Sequence, residues 1–312
     1  MKIIVLESST LGDDISFDKL KKIGDVTIYE KTKQSEMLSR CSSADIIVVN
    51  KLLVNEDSLG TSTSVKLVCV TATGTNNIDF DYTNSHNIKV MNAKGYSTDS
   101  VVQHTFACAL YLLEKLSYFD NYVQSGDYAR SSVFTNLNVK FGELKGKTWG
   151  IAGLGTIGKE VARIASAFGC NVIYYSTSGK NNTSGYKRVS FDELLSTSDI
   201  ISINAPLDNN TLDLFNIKAF EKMKPDSILI NVGRGSIVNE TDLYTALTEN
   251  KIYGAALDVL SEEPISADNV LLGFKDSTRL LITPHIAWAS YEARTRLLEQ
   301  TIQNIKNYIS EQ

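Results

Sequence analysis

Three residue types that could move a proton and grip an anion stand at the carboxyl ends of predicted strands in the second half of the chain. The run SILINVG ends in Gly233-Arg234-Gly235, YGAALDV is followed by LSEEP with Glu262 and Glu263, and RLLITP leads into His285. In an open α/β sheet, ligands bind outside the carboxyl ends of the strands, so these side chains are expected along one rim. A guanidinium offers a fork of donors that matches a carboxylate. A protonated imidazole can give a proton to a ketone oxygen near neutral pH while hydride reaches the carbon. A carboxylate beside that imidazole stabilises its charged form and holds the ring. On residue type alone, either Glu262 or Glu263 could be that partner. Taken singly, the arginine could be a turn residue, the glutamate a solvated charge and the histidine a cap. Together, in this order, they suit reduction of a 2-keto acid.

A source of hydride is encoded upstream. Residues 150–158 read GIAGLGTIG, so Gly153, Gly155 and Gly158 form G-x-G-x-x-G between a strand (KTWGIAG) and a helix (TIGKEVARIASAFG). The first glycine allows a tight turn, the second lets the backbone approach a pyrophosphate, and the third lets helix pack on strand. The pyrophosphate would rest on the helix amino terminus, at Thr156 and Ile157, where unpaired N–H groups favour an anion. Pro206, Val232 and Gly233, at later strand ends, complete the expected cofactor contacts. One departure stands out. Where an acid would hold the adenosine ribose, the chain has Ser176-Thr177-Ser178, followed by Lys180, Lys187 and Arg188. Loss of the acid removes a penalty against a 2′-phosphate, yet Ser176 could equally hydrogen-bond a plain ribose. Both NAD(H) and NADP(H) stay open.

The elements that must position these groups follow a β-α rhythm. KIIVLE, DVTIYE, DIIVVN, VKLVCVTA and IKVMN are predicted strands before residue 93. KTWGIAGLG, NVIYYS, DIISINAP, SILINVG, YGAALDV and RLLITP follow after residue 147. Their continuous apolar runs suit parallel sheets covered on both faces. Between the two sets, one long helix is expected from Ser97 to Ser125, then an irregular stretch to about Lys147. A last helix is expected from about Ser290 to Ser310. The fold class is α/β, with two doubly wound, Rossmann-like parallel-sheet domains and a cleft between them. On the first domain, TATGTNNID turns from strand to helix, and N–H groups near Thr73 and Gly74 could form a nest for a carboxylate. Lys51 could add positive charge there.

Bulk properties narrow the class. A net charge of −5 argues against nucleic acid or an anionic membrane as partner. No run reaches the length of a membrane span and the amino terminus reads as a strand, so the expectation is a cytoplasmic protein. Cys41, Cys69, Cys108 and Cys170 form no C-x-x-C pair and read as buried, reduced thiols. No metal site is apparent. His104, mid-helix among apolar neighbours, reads as a satisfied structural residue.

The motifs GIAGLGTIG, NVGRGSIVNE, ALDVLSEEP and TPHIAWAS resemble the D-isomer-specific 2-hydroxyacid dehydrogenase family over nearly the whole chain. ATGTNNID, GYSTDSVVQHTFA and TPHIAWAS are most similar to its glycerate dehydrogenase (hydroxypyruvate reductase) branch. The resemblance implies that Arg234 orients the substrate, that His285 is the acid–base, and that Glu263 rather than Glu262 pairs with it. It also implies that Asp258 contacts the nicotinamide carboxamide and that the Thr73–Gly74 loop takes the substrate carboxylate. Trp288, three residues beyond His285, could wall the pocket or simply pack. The implied architecture is a substrate domain of residues 1–98 plus 287–312, split by a dinucleotide domain of residues 99–286, in a homodimer. The implied reaction is hydride transfer between NAD(P)H and a small 2-keto acid, with hydroxypyruvate or glyoxylate favoured. A cofactor-sensing or corepressor-type binding protein on the same fold is the alternative.

Overall fold

A computed structural model describes residues 1–61, 63–180, 182 and 185–312. They form two units, Met1–Ser97 with Trp288–Gln312, and Thr98–Ala287. The first contains β1 (Lys2–Val5), β2 (Asp25–Ile28), β3 (Ile46–Val49), β4 (Leu67–Val70) and β5 (Lys89–Asn92). All pairings are parallel, in the order β2-β1-β3-β4-β5. Ile3, Val5, Ile46 and Val48 face one core, which Leu297, Ile302 and Ile305 of the helix Tyr291–Ser310 close. Ile4, Ile47 and Val49 face the other core. A parallel strand buried on both faces needs an apolar residue at every position, which is why these runs show no alternation.

The second unit contains β6 (Thr148–Ala152), β7 (Asn171–Tyr175), β8 (Lys187–Arg188), β9 (Ile200–Ile203), β10 (Ile228–Asn231), β11 (Gly254–Leu257) and β12 (Leu280–Ile282). The order is β12-β11-β10-β9-β6-β7-β8, again entirely parallel. The direction of winding reverses between β6 and β9, so the carboxyl ends of those strands flank the switch point where a ligand crevice opens. Leu229, Ala255 and Leu257 pack beneath one face and Ile228, Ile230 and Ala256 beneath the other.

Two expectations need correction. The single helix from Ser97 to Ser125 is two helices, Thr98–Leu113 and Leu116–Gln124, broken where Lys115 takes a left-handed φ of 54°. Nothing local demands that break. The ammonium of Lys115 lies 4.8 Å from the centre of the Tyr253 ring, a cation–π contact set by tertiary packing. The two-residue strand β8 was not expected either, because Lys187 and Arg188 are both exposed and carry no apolar signal. Among the described residues, no helix is long and apolar enough to cross a membrane.

Candidate active site

The loop after β11 begins at Asp258 and reaches Glu263. Glu263 Oε1 accepts the Leu260 N–H at 3.1 Å, and Oε2 meets His285 Nδ1 at 2.6 Å. A carboxylate so close to Nδ1 favours a proton on that nitrogen and leaves Nε2 as the ring atom able to exchange a proton with a ligand. Glu262 makes no such contact in the described hydrogen bonds. The Ser261 N–H donates to Glu240 Oε1 at 2.6 Å, so the loop is pinned at two consecutive residues.

His285 itself sits in the left-handed region, with φ at 54°. That is uncommon for a residue with a side chain and persists only where the surroundings over-determine it. The cause is Asp258, 2% exposed. Its backbone carbonyl accepts the His285 N–H at 2.8 Å. Its Oδ1 accepts from Thr283 Oγ1 at 2.6 Å and from the Ile286 N–H at 2.8 Å, and Oδ2 accepts from the Ala287 N–H at 2.8 Å. Asp258 therefore anchors the loop that carries the histidine. His104 joins the same network: its Nε2 lies 3.1 Å from Thr283 Oγ1 and 3.6 Å from Asp258 Oδ1. Since Thr283 spends its hydrogen on Asp258, His104 Nε2 is the donor to Thr283.

Arg234 is exposed at the end of β10, and its Nη1 donates to the Gly233 carbonyl at 2.8 Å. The turn is held from below by Asn231, fully buried. Its Oδ1 accepts the Gly233 N–H at 3.0 Å and its Nδ2 donates to the Arg234 carbonyl at 2.9 Å. A Cβ on Gly235 would stand 1.8 Å from the carbonyl carbon of Leu260. Glycine is thus what lets the arginine turn press against the glutamate loop. His104, read from sequence as a satisfied structural residue, has its partner in Thr283, whereas Asn231, Glu240 and the Gly235–Leu260 contact were not singled out from sequence. A polar Asn closing the apolar run SILIN was the one available signal.

The glycine turn fits a dinucleotide. Added Cβ atoms would lie 2.9 Å from Ala205 at Gly153 and 2.3 Å from the Gly153 carbonyl at Gly158, but meet nothing within 4 Å at Gly155. Two glycines pack turn against sheet and helix; the third leaves an open face before the helix Thr156–Ala167. Close by, after β9, the amide of Asn204 is buried and neither its nitrogen nor its oxygen has a hydrogen-bond partner among the described residues. A buried amide left unpaired is costly, so this one is suited to a bound polar ligand. Ser176, which follows β7, is 4% exposed. Pro206 lies at the end of β9, with its carbonyl accepting from Thr211 Oγ1 at 2.8 Å, and Val232 is half-buried beside Gly233.

In the first unit, Lys51 follows β3, and its N–H donates to Glu7 Oε2 at 3.0 Å; the Asn50 N–H donates to the same oxygen at 2.6 Å. Thr73, exposed after β4, accepts from Asn92 Nδ2 at 2.6 Å through its carbonyl, and Gly74 next to it is half-buried. Trp288 packs edge-on against Tyr96, ring centres 6.3 Å apart. Among the described residues, no group of three or more His, Cys, Asp or Glu is placed to hold a metal ion.

Comparison with known proteins places this geometry in context. The family model described as the NAD-binding domain of D-isomer specific 2-hydroxyacid dehydrogenases matches residues 106–287. A hydroxypyruvate reductase of Blautia hydrogenotrophica is 34% identical over 316 residues, covering 99% of this chain and 97% of the relative. A glyoxylate reductase of Aeropyrum pernix is 34% identical over 300 residues, covering 93% and 88%. Among solved structures, an acyclic imino acid reductase in complex with NADPH and D-Arg is similar with a TM-score of 0.87 at 31% identity, covering 100% of this chain and 98% of that one.

Proposed function

Since the chain belongs to the D-isomer specific 2-hydroxyacid dehydrogenase family and is an NAD(P)-dependent oxidoreductase of 2-hydroxy acids, we propose that it reduces a small 2-keto acid, hydroxypyruvate or glyoxylate, through Arg234, Glu263 and His285. The 2.6 Å contact between Glu263 and His285 carries this reading. When bound, a nicotinamide cofactor would supply the hydride. Arg234 forks onto the substrate carboxylate and fixes the ketone. His285 gives the proton on Nε2 to the ketone oxygen, and Glu263 stabilises the imidazolium that holds it ready. Gly153, Gly155, Gly158, Asn204 and Ser176 hold the dinucleotide. Asp258 keeps the histidine loop in place and would contact the nicotinamide carboxamide. The unit that begins at Met1 supplies Lys51 and the Thr73–Gly74 loop to the substrate, with Trp288 as a wall. Turnover of NADH and NADPH against hydroxypyruvate, glyoxylate, pyruvate and bulkier keto acids tests the reading. Tight cofactor binding without turnover of any keto acid would overturn it in favour of a sensor.

The working form in this proposal is a cytoplasmic homodimer. The segment 116–141 exposes Leu116, Val123, Phe134, Leu137 and Phe141, with Phe134 89% exposed, and a second copy would cover them. Phe134→Glu with Leu137→Glu is expected to yield a monomer in sedimentation; an unchanged dimer removes this face from the interface. All four cysteines are free and buried, as in a reducing compartment, and burial pushes the Cys69 and Cys108 thiols up to about 12.

A further inference from the structure

A family member can run on either nicotinamide dinucleotide, and the two differ by one phosphate on the adenosine ribose. In this fold that ribose lies at the end of the strand after the glycine turn, here β7. The residue there is Ser176, and the chain from Ser176 to Arg188 holds no Asp or Glu while carrying Lys180, Lys187 and Arg188. The structure separates those three cations. Lys187 is spent, with its Nζ 2.7 Å from Glu193 Oε1. The next carboxylate, Asp192, is likewise held by Lys222 at 2.7 Å. Asp192 and Glu193, the first acids after Arg188 in the sequence, are therefore each paired with a lysine.

Lys180 and Arg188 remain. β8 runs parallel to β7 with Arg188 opposite Tyr174, two positions short of Ser176. The Arg188 guanidinium donates to the side-chain oxygen of Asn182. After Ser176 the backbone turns sharply. The Gly179 N–H donates to the Ser176 carbonyl at 3.1 Å with Gly179 at a φ of 71°, and the Lys180 N–H donates to Ser178 Oγ at 3.3 Å. Thr177, Ser178 and Lys180 thus lie in or beside this turn, and Arg188 lies on β8, the strand paired with β7.

We propose that this turn binds the 2′-phosphate of NADPH through Thr177, Ser178, Lys180 and Arg188, and that the enzyme prefers NADP(H) to NAD(H). The proposal rests on the dehydrogenase reading above and adds the choice of cofactor to it. A phosphate monoester carries nearly two negative charges and three acceptor oxygens, which a guanidinium, an ammonium and hydroxyls satisfy. NAD(H) makes none of these contacts.

Direct binding to the full chain tests this without turnover. Calorimetric titration at fixed ionic strength is expected to give a Kd for NADPH roughly tenfold or more below that for NADH, the worth of one charge-assisted hydrogen bond. Raising salt is expected to weaken NADPH more steeply than NADH, because exposed charges are screened. Lys180→Ala and Arg188→Ala are each expected to raise the NADPH Kd about tenfold while moving the NADH Kd less than about twofold. Ser176→Asp is expected to reverse the preference. Equal Kd values, tighter NADH, or equal losses for both cofactors in the lysine and arginine variants overturn the proposal. Failure of both dinucleotides to bind overturns the dehydrogenase reading and this proposal with it, whereas tight NADH with weak NADPH overturns this proposal alone.

Discussion

The two rims of the dinucleotide unit are built differently. At the corner proposed to be catalytic, side chains are tied to backbone: Glu263 to the Leu260 N–H, Asp258 to the N–H groups of Ile286 and Ala287, Asn231 to the Gly233 N–H and the Arg234 carbonyl. Backbone even meets backbone where Gly235 abuts Leu260. At the ribose rim, from Ser176 to Arg188, Lys180, Lys187 and Arg188 are exposed and the ion pair of Lys187 faces solvent. A proton moves only within hydrogen-bond reach, so the group that moves it must be held to fractions of an ångström. A cation that neutralises a phosphate acts over a longer range and tolerates looser placement. Altering the first rim is expected to cost stability as well as chemistry; altering the second is expected to cost binding but little stability.

That contrast can be broken at either end. His285→Ala is expected to lower kcat about 10³-fold with little change in cofactor Kd, the usual worth of a positioned acid–base group; near-normal kcat would remove the histidine from the chemistry. Gly235→Ala forces the arginine turn and the glutamate loop apart, so a loss of about 3 kcal/mol is expected in denaturant unfolding. If that variant keeps its stability and turnover, the corner is not held as tightly as its contacts imply. Arg234→Lys keeps the charge but loses the fork, and KM is expected to rise about tenfold alongside a lower kcat. An unchanged KM would mean the carboxylate is recognised elsewhere. At the ribose rim, Lys180→Ala is expected to leave stability within about 0.5 kcal/mol. A large loss there would erase the distinction between the rims.

The elements were legible where burial imposes a pattern. Runs such as IIVV at Ile46–Val49 and ILIN at Ile228–Asn231 can hardly be anything but parallel strands, and every strand read from an apolar run is present. The last helix, expected from about Ser290, begins there, with Ser290 Oγ accepting the Ala293 N–H at 3.2 Å. The break at Lys115 and the edge strand at Lys187–Arg188 were not legible. One follows from a ring 138 positions downstream in the packing of another segment, the other from backbone pairing with no apolar residue in it.

The same boundary runs through the site. Sequence alone determined which chemical groups the chain brings to its strand ends, since glycine spacing and residue type at the close of an apolar run are local properties. Residue type left Glu262 and Glu263 open and the resemblance chose Glu263; only the folded structure gave the Glu263–His285 contact itself, the anchoring of that loop by Asp258, and the place of His104 in that anchor. Each of those is a contact between segments more than 20 positions apart, and hydrogen bonds across such gaps depend on where the chain returns, which no local spacing encodes.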